Sequence, residues 1–81
     1  MSKRISLIFD EIRYDIQEVI NLNKEEADLL NKLSRTDDQE ERESLIYRID
    51  TINADTFDYL DKIDGCVADL EEALGGDDDE E

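Results

Sequence analysis

The chain has 81 residues, of which 42% are charged and 38% hydrophobic, with no Pro, His or Trp and a single Cys. Nine Lys and Arg against 25 Asp and Glu give a formal charge of −16 and a pI near 4.1. The length allows one small domain, and the charge excludes a cationic face for nucleic-acid phosphates or anionic lipid.

The first predicted element is a helix over residues 3–34. Ile5, Phe9, Ile12, Ile16, Val19, Asn23, Leu30 and Leu33 keep an alternation of four and three residues, which Glu26 violates. Ile8, Leu22 and Leu29 flank this seam on one side, Ile20 and Ala27 on the other. Moving the seam to Ile20, Asn23, Ala27 and Leu30 avoids Glu26 through a four-residue stutter. Asn23 to Glu26 has the spacing of a capping box, which marks residues 21–24 as a candidate kink. Lys3 and Arg4 precede only a short apolar run ended by Asp10 and Glu11, too short for a signal-peptide core.

The turn is expected at Ser34–Asp38. Lys32 and Arg35 suit the carbonyl end of one helix, and Asp37, Asp38, Glu40 and Glu41 suit the amide end of the next. Thr36 and Gln39 fit a capping box, with the hydroxyl on the amide three residues on and Gln39 reaching back.

A second helix is predicted over residues 37–74. Leu45, Ile49, Ile52, Thr56, Tyr59, Ile63, Cys66, Leu70 and Ala73 form its seam. A second row, Ile46, Asn53, Leu60, Val67 and Leu74, repeats every seven residues beside it. A stripe this wide exceeds a two-stranded seam and suits a bundle in which each helix has two neighbours. Gly75 and Gly76 are expected to stop the helix in the left-handed conformation. Residues 77–81 are an all-acidic tail, read as disordered.

The fold class predicted is all-α: a long antiparallel, coiled-coil-like hairpin in residues 1–76 that assembles into a dimeric four-helix bundle. A turn centred between residues 35 and 36 would set Ala27 against Leu45, Val19 against Ile52, Ile12 against Tyr59 and Ile5 against Cys66. Leu70, Ala73 and Leu74 would then overhang the first helix without a partner. Asn23 and Thr56 would be seam polar residues able to set register or oligomeric state.

Charge divides unevenly. Residues 1–35 carry six Lys and Arg against seven Asp and Glu, a net of −1, whereas residues 36–81 carry three against eighteen, a net of −15. Asp55, Asp58, Asp61 and Asp64 recur every three residues, about 4.5 Å apart along a helix axis. Asp50, Asp69, Glu71 and Glu72 extend this field. Helix propensity alone would favour Glu over Asp here. Phe57 falls on an outward position between Asp50 and Asp64, and Tyr47 is also outward; an exposed aromatic among carboxylates reads as a contact anchor.

Catalysis finds little material. Cys66 lies on the apolar stripe with no His to activate it, and it reads as a core thiol of a reducing, cytoplasmic interior. No Glu-x-x-His pair, glycine-rich phosphate loop or EF-hand is present. The expectation is therefore no enzyme, cofactor, metal, direct nucleic-acid contact or membrane span. The expected function is a self-associating helical interaction module: an adaptor, an assembly factor or a small chaperone. The alternative is a nucleic-acid mimic that blocks a basic cleft on another protein. Partner-binding residues on these two readings are Asp50, Asp55, Phe57, Asp58, Asp61, Asp64, Leu70, Glu71, Glu72 and Leu74. No motif singles out a family; coiled-coil periodicity with an acidic tail recurs in many unrelated small proteins, phage accessory factors among them.

Overall fold

Two stretches of the chain obey a seven-residue repeat, and each folds as one unbroken helix in the computed structural model, which describes residues 3–76. Helix α1 spans Lys3–Leu33 and α2 spans Gln39–Gly76. They pack side by side as an antiparallel hairpin measuring 62 × 15 × 12 Å. The radius of gyration, 18.3 Å, well exceeds the ~12 Å of a globule of this length. The molecule is therefore a rod. The acidic tail, 77–81, lies outside the described residues.

The turn between the helices differs in detail from the expected capping box. The Asp38 amide donates to Thr36 Oγ1 at 3.2 Å, and the Glu40 amide to Asp38 Oδ1 at 3.3 Å. The Arg42 amide donates to the Asp38 carbonyl at 2.9 Å. Asp38, not Thr36, is thus the N-cap, and α2 begins two residues later than the sequence suggests. Gln39 points forward, its amide donating to Glu43 Oε2 at 2.9 Å. At the end of α1 the Ser34 amide reaches the Leu30 carbonyl at 3.0 Å, and the Ser34 hydroxyl reaches Asn31 O at 2.7 Å. The candidate kink at 21–24 is absent because the helix runs through it. The expected left-handed stop is also absent: α2 continues through Gly75 and Gly76, and no described glycine has a positive φ. Glycine permits that conformation without requiring it.

In α2 the seam is the one expected. Leu45, Ile52 and Ala73 are buried, and Ile49, Thr56, Tyr59, Ile63, Cys66 and Leu70 are half-buried. The α1 seam is displaced by one position. Ile8, Asp15, Leu22 and Leu29 alternate with Ile5, Ile12, Val19, Glu26 and Leu33 facing α2, while Phe9, Ile16, Asn23 and Leu30 are exposed. Leu29, Leu45 and Ile52 form the central cluster, with Leu22, Leu33 and Ile49 packed against it. The physical reason is electrostatic as well as apolar. With this choice the charged residues flanking the α1 seam meet α2: Arg48 Nη2 lies 3.2 Å from Glu25 Oε2, and Arg4 Nη2 lies 3.3 Å from Glu72 Oε1.

These contacts, with that of Asn53 to Glu26, also set the register about five residues from the expected one. Leu29 takes the place beside Leu45 proposed for Ala27, which is exposed. Leu22, not Val19, packs against the cluster that holds Ile52. Consequently α2 does not overhang bare. Ala73 is only 3% exposed and Leu70 is half-buried; Leu74 remains 57% exposed. Thr56, half-buried in the seam, satisfies its hydroxyl on its own helix, donating to Ile52 O at 2.8 Å.

Among the described residues the seam holds one buried polar side chain without a partner. Asp15 is 1% exposed, and neither carboxylate oxygen has a hydrogen-bond partner. A buried polar group left unsatisfied costs on the order of 1–3 kcal/mol. Asp15→Leu, which continues the Ile8–Leu22–Leu29 row, is expected to raise the thermal midpoint in a circular-dichroism melt. Leu29→Ala is expected to lower stability by about 2–4 kcal/mol, as a cavity in a small cluster does. An unchanged or lowered midpoint for Asp15→Leu would mean that this carboxylate is paired in solution.

Candidate functional site

Labelling the seam positions of each helix a and d exposes a simple consequence of antiparallel packing: like-lettered flanks lie on the same side of the hairpin. On one side are the g positions, where Glu25 meets Arg48. On the other are the e positions of both helices. Asn53 belongs to this second side. With its amide nitrogen turned to Glu26, as the neighbouring donors and acceptors require, it donates to the carboxylate oxygens at 3.0 and 3.3 Å.

The e side carries an apolar strip broken at one rung. Its α1 members are Phe9, Ile16 and Leu30; its α2 members are Ile46, Leu60, Val67 and Leu74, all between 37% and 57% exposed. The register places them in rungs: Leu30 level with Ile46, Ile16 with Leu60, and Phe9 with Val67. The remaining rung pairs Asn23 with Asn53, so the two polar interruptions coincide. Sequence reasoning found the α2 row but assigned its α1 counterpart to the intramolecular seam.

The predicted partner-binding residues divide among three places. Leu70 belongs to the seam between the helices. Leu74 joins the apolar strip. Asp50, Asp55, Asp58, Asp61, Asp64, Glu71 and Glu72 are all exposed, as is Phe57, which at 70% is nearly bare. The four aspartates at three-residue spacing do not form a straight row. Each step of three residues falls about 60° short of a full turn, so Asp55 to Asp64 sweeps halfway round the helix. Asp55 and Asp58 border a groove on the g side with Glu18, Leu22, Tyr59 and Lys62, whereas Asp64 stands on the edge of the apolar strip. Lys62 sits over the Tyr59 ring, 5.0 Å from its centre.

Near the open end, a shallow groove is lined by Arg4, Leu7, Ile8, Glu11, Cys66 and Asp69. Burial pushes the Cys66 thiol above its ordinary range, and the Asp15, Glu11 and Asp69 carboxylates add to this. Partial burial likewise raises Tyr59, followed by Tyr14, Glu18 and Asp15. A thiol disfavoured as thiolate is a poor nucleophile. Among the described residues no group of three or more acidic or thiol side chains is arranged to hold a metal, and no helix is long and apolar enough to cross a membrane.

Comparison with protein-family models, with curated proteins and with solved structures finds no match.

Both raised groups bind their protons more tightly in the folded state. Their stabilising contribution is therefore complete below the unfolded thiol value of ~8.5 and is lost as pH rises through the folded values. The thermal midpoint is expected to fall from about pH 8.5 upward, and Cys66→Ser should remove the first part of that fall. Cys66 should also react with an aromatic disulfide more slowly in native protein than in denatured protein at pH 8. Equal rates would show that the thiol is not shielded by the hairpin.

Proposed function

We propose that this chain is a non-enzymatic, self-associating helical interaction module that works as an adaptor, assembly factor or small chaperone in the cytoplasm. The observation that supports it is the apolar strip on the e side. It runs past three apolar rungs and ends at Leu74, whereas the opposite flank carries Glu11, Glu18, Glu25, Arg48, Asp55, Lys62 and Asp69. An exposed apolar face bordered by charge is the physical mark of an association surface. Burial of that strip would also add to the small core of a single seam.

A second reading, an inhibitor that mimics nucleic acid and fills a basic cleft, draws on the −15 charge of residues 36–81. The half-turn sweep from Asp55 to Asp64 counts against it, since a flat basic surface meets only part of such a run. The two readings differ in salt dependence. Contacts between exposed charges weaken steeply with ionic strength, and apolar burial does not.

Light scattering at micromolar concentration should give a mass of at least twice 9.4 kDa, little changed between low and high salt. Replacing Phe57, Leu60 and Leu74 by Ala should return the chain to a helical monomer. Changing Asp55, Asp58, Asp61 and Asp64 to Asn should leave association intact. A well-folded monomer of the parent chain would remove this reading. Capture of a basic partner that only the Asn set abolishes would replace it with the mimic.

A further inference from the structure

The apolar strip has two edges of different chemistry, and the difference selects what covers it. Beyond the e row of α1 lie Ser6, Arg13, Ile20 and Ala27; beyond that of α2 lie Asp50, Phe57, Asp64 and Glu71. The register fixed by Arg4 with Glu72, Glu25 with Arg48 and Asn53 with Glu26 puts these edge residues at matching heights. Arg13 is level with Asp64, Ile20 with Phe57, Ala27 with Asp50 and Ser6 with Glu71. Each pair is complementary or neutral, yet its members stand on opposite edges of the strip, too far apart to meet within one chain.

Building on the self-association reading, we propose that a second copy covers the strip, related by a two-fold axis parallel to the helices. That rotation carries the α2 edge of one copy onto the α1 edge of the other without changing any height. Arg13, paired with Asp10 of its own helix at 2.7 Å, then gains the partner's Asp64. Ile20 covers the partner's Phe57, the aromatic that is otherwise nearly bare. The Asn23–Asn53 rung meets its own counterpart, so amides face amides within an otherwise apolar interface. The face involved runs about 42 Å from Ile46 to Leu74 at 1.5 Å per residue and about the hairpin's 15 Å across, which approaches the ~800 Å² that a stable interface buries per partner.

An axis perpendicular to the helices is the competing arrangement, and two features oppose it. It sets α2 against α2, so that the acidic row of Asp50, Asp64 and Glu71 confronts itself. It also cannot reconcile the Asn rung with the strip. One apolar rung lies on the turn side of the amides and two lie on the other. Centring on the amides leaves Phe9 and Val67 uncovered, and centring on the strip buries amides against Ile16 and Leu60.

The test uses the full chain with Cys66→Ser as background and either Ile20→Cys or Phe57→Cys added. Both added sites are exposed, and circular dichroism checks that helicity is kept. Mildly oxidised at a concentration where light scattering shows dimer, a mixture of the two variants should yield a disulfide-linked pair. Each variant alone should yield little. Separately, Asp64→Arg should weaken dimerisation about tenfold through its two symmetric contacts, and adding Arg13→Asp should restore it to within about twofold. Efficient linkage of Ile20→Cys to itself, or no rescue by the charge swap, overturns the parallel axis while leaving self-association standing. A monomer throughout overturns both.

Discussion

A helix in a hairpin has one neighbour, and one neighbour covers one stripe. That constraint governs everything else in this molecule. Both helices carry apolar residues at three positions per heptad, but the hairpin buries only two. The third row of each is pushed to the same side by antiparallel packing, where the rows merge into one strip. The strip is thus what two helices with three apolar rows each leave uncovered when they pack only on one another, and its straightness follows from the regularity of the repeat.

The choice of seam in α1 shows how a charged side chain can be carried into a core. Ile8, Leu22 and Leu29 offer better burial than Phe9, Asn23 and Leu30 in the same layers, and they bring Arg4 and Glu25 within reach of Glu72 and Arg48. The same choice draws Asp15 into the seam, because it occupies the repeat between Ile8 and Leu22. Exposed ion pairs of this kind contribute little individually. The apolar gain at three layers is what outweighs the fourth.

Much of this was legible in the sequence. The α2 seam, from Leu45 to Ala73, could be read residue by residue because its neighbours on the g side are charged and leave no competing stripe. The turn at 34–38 was equally plain from its cations, anions and hydroxyls. The α1 seam was not, since Ile8, Leu22 and Leu29 on one flank rival Phe9, Ile16 and Leu30 on the other. The contest is decided by contacts with α2 that one helix's pattern does not contain. Register failed for a related reason: it hangs on whether Thr36 or Asp38 caps α2. For the candidate site, Phe57 stands outward as read, and Leu74 is exposed. The spacing of the aspartates along the helix was easy to count, whereas their angular drift shows only when they are placed around its axis.

The uneven distribution of the core along the rod bears on how the hairpin forms. Leu29, Leu45 and Ile52 lie next to the turn, where bringing the helices together closes only a short loop. Pairing can therefore start there and zip toward the termini, each added layer finding its partner already nearby. Asp15 interrupts that progress midway. The closed end and the open end, around Ile5, Ile8, Leu70 and Ala73, become two zones separated by a weak link. Fraying at the open end can stop at Asp15 without loosening the turn, so amide exchange should be graded along the rod in two steps, not one slope.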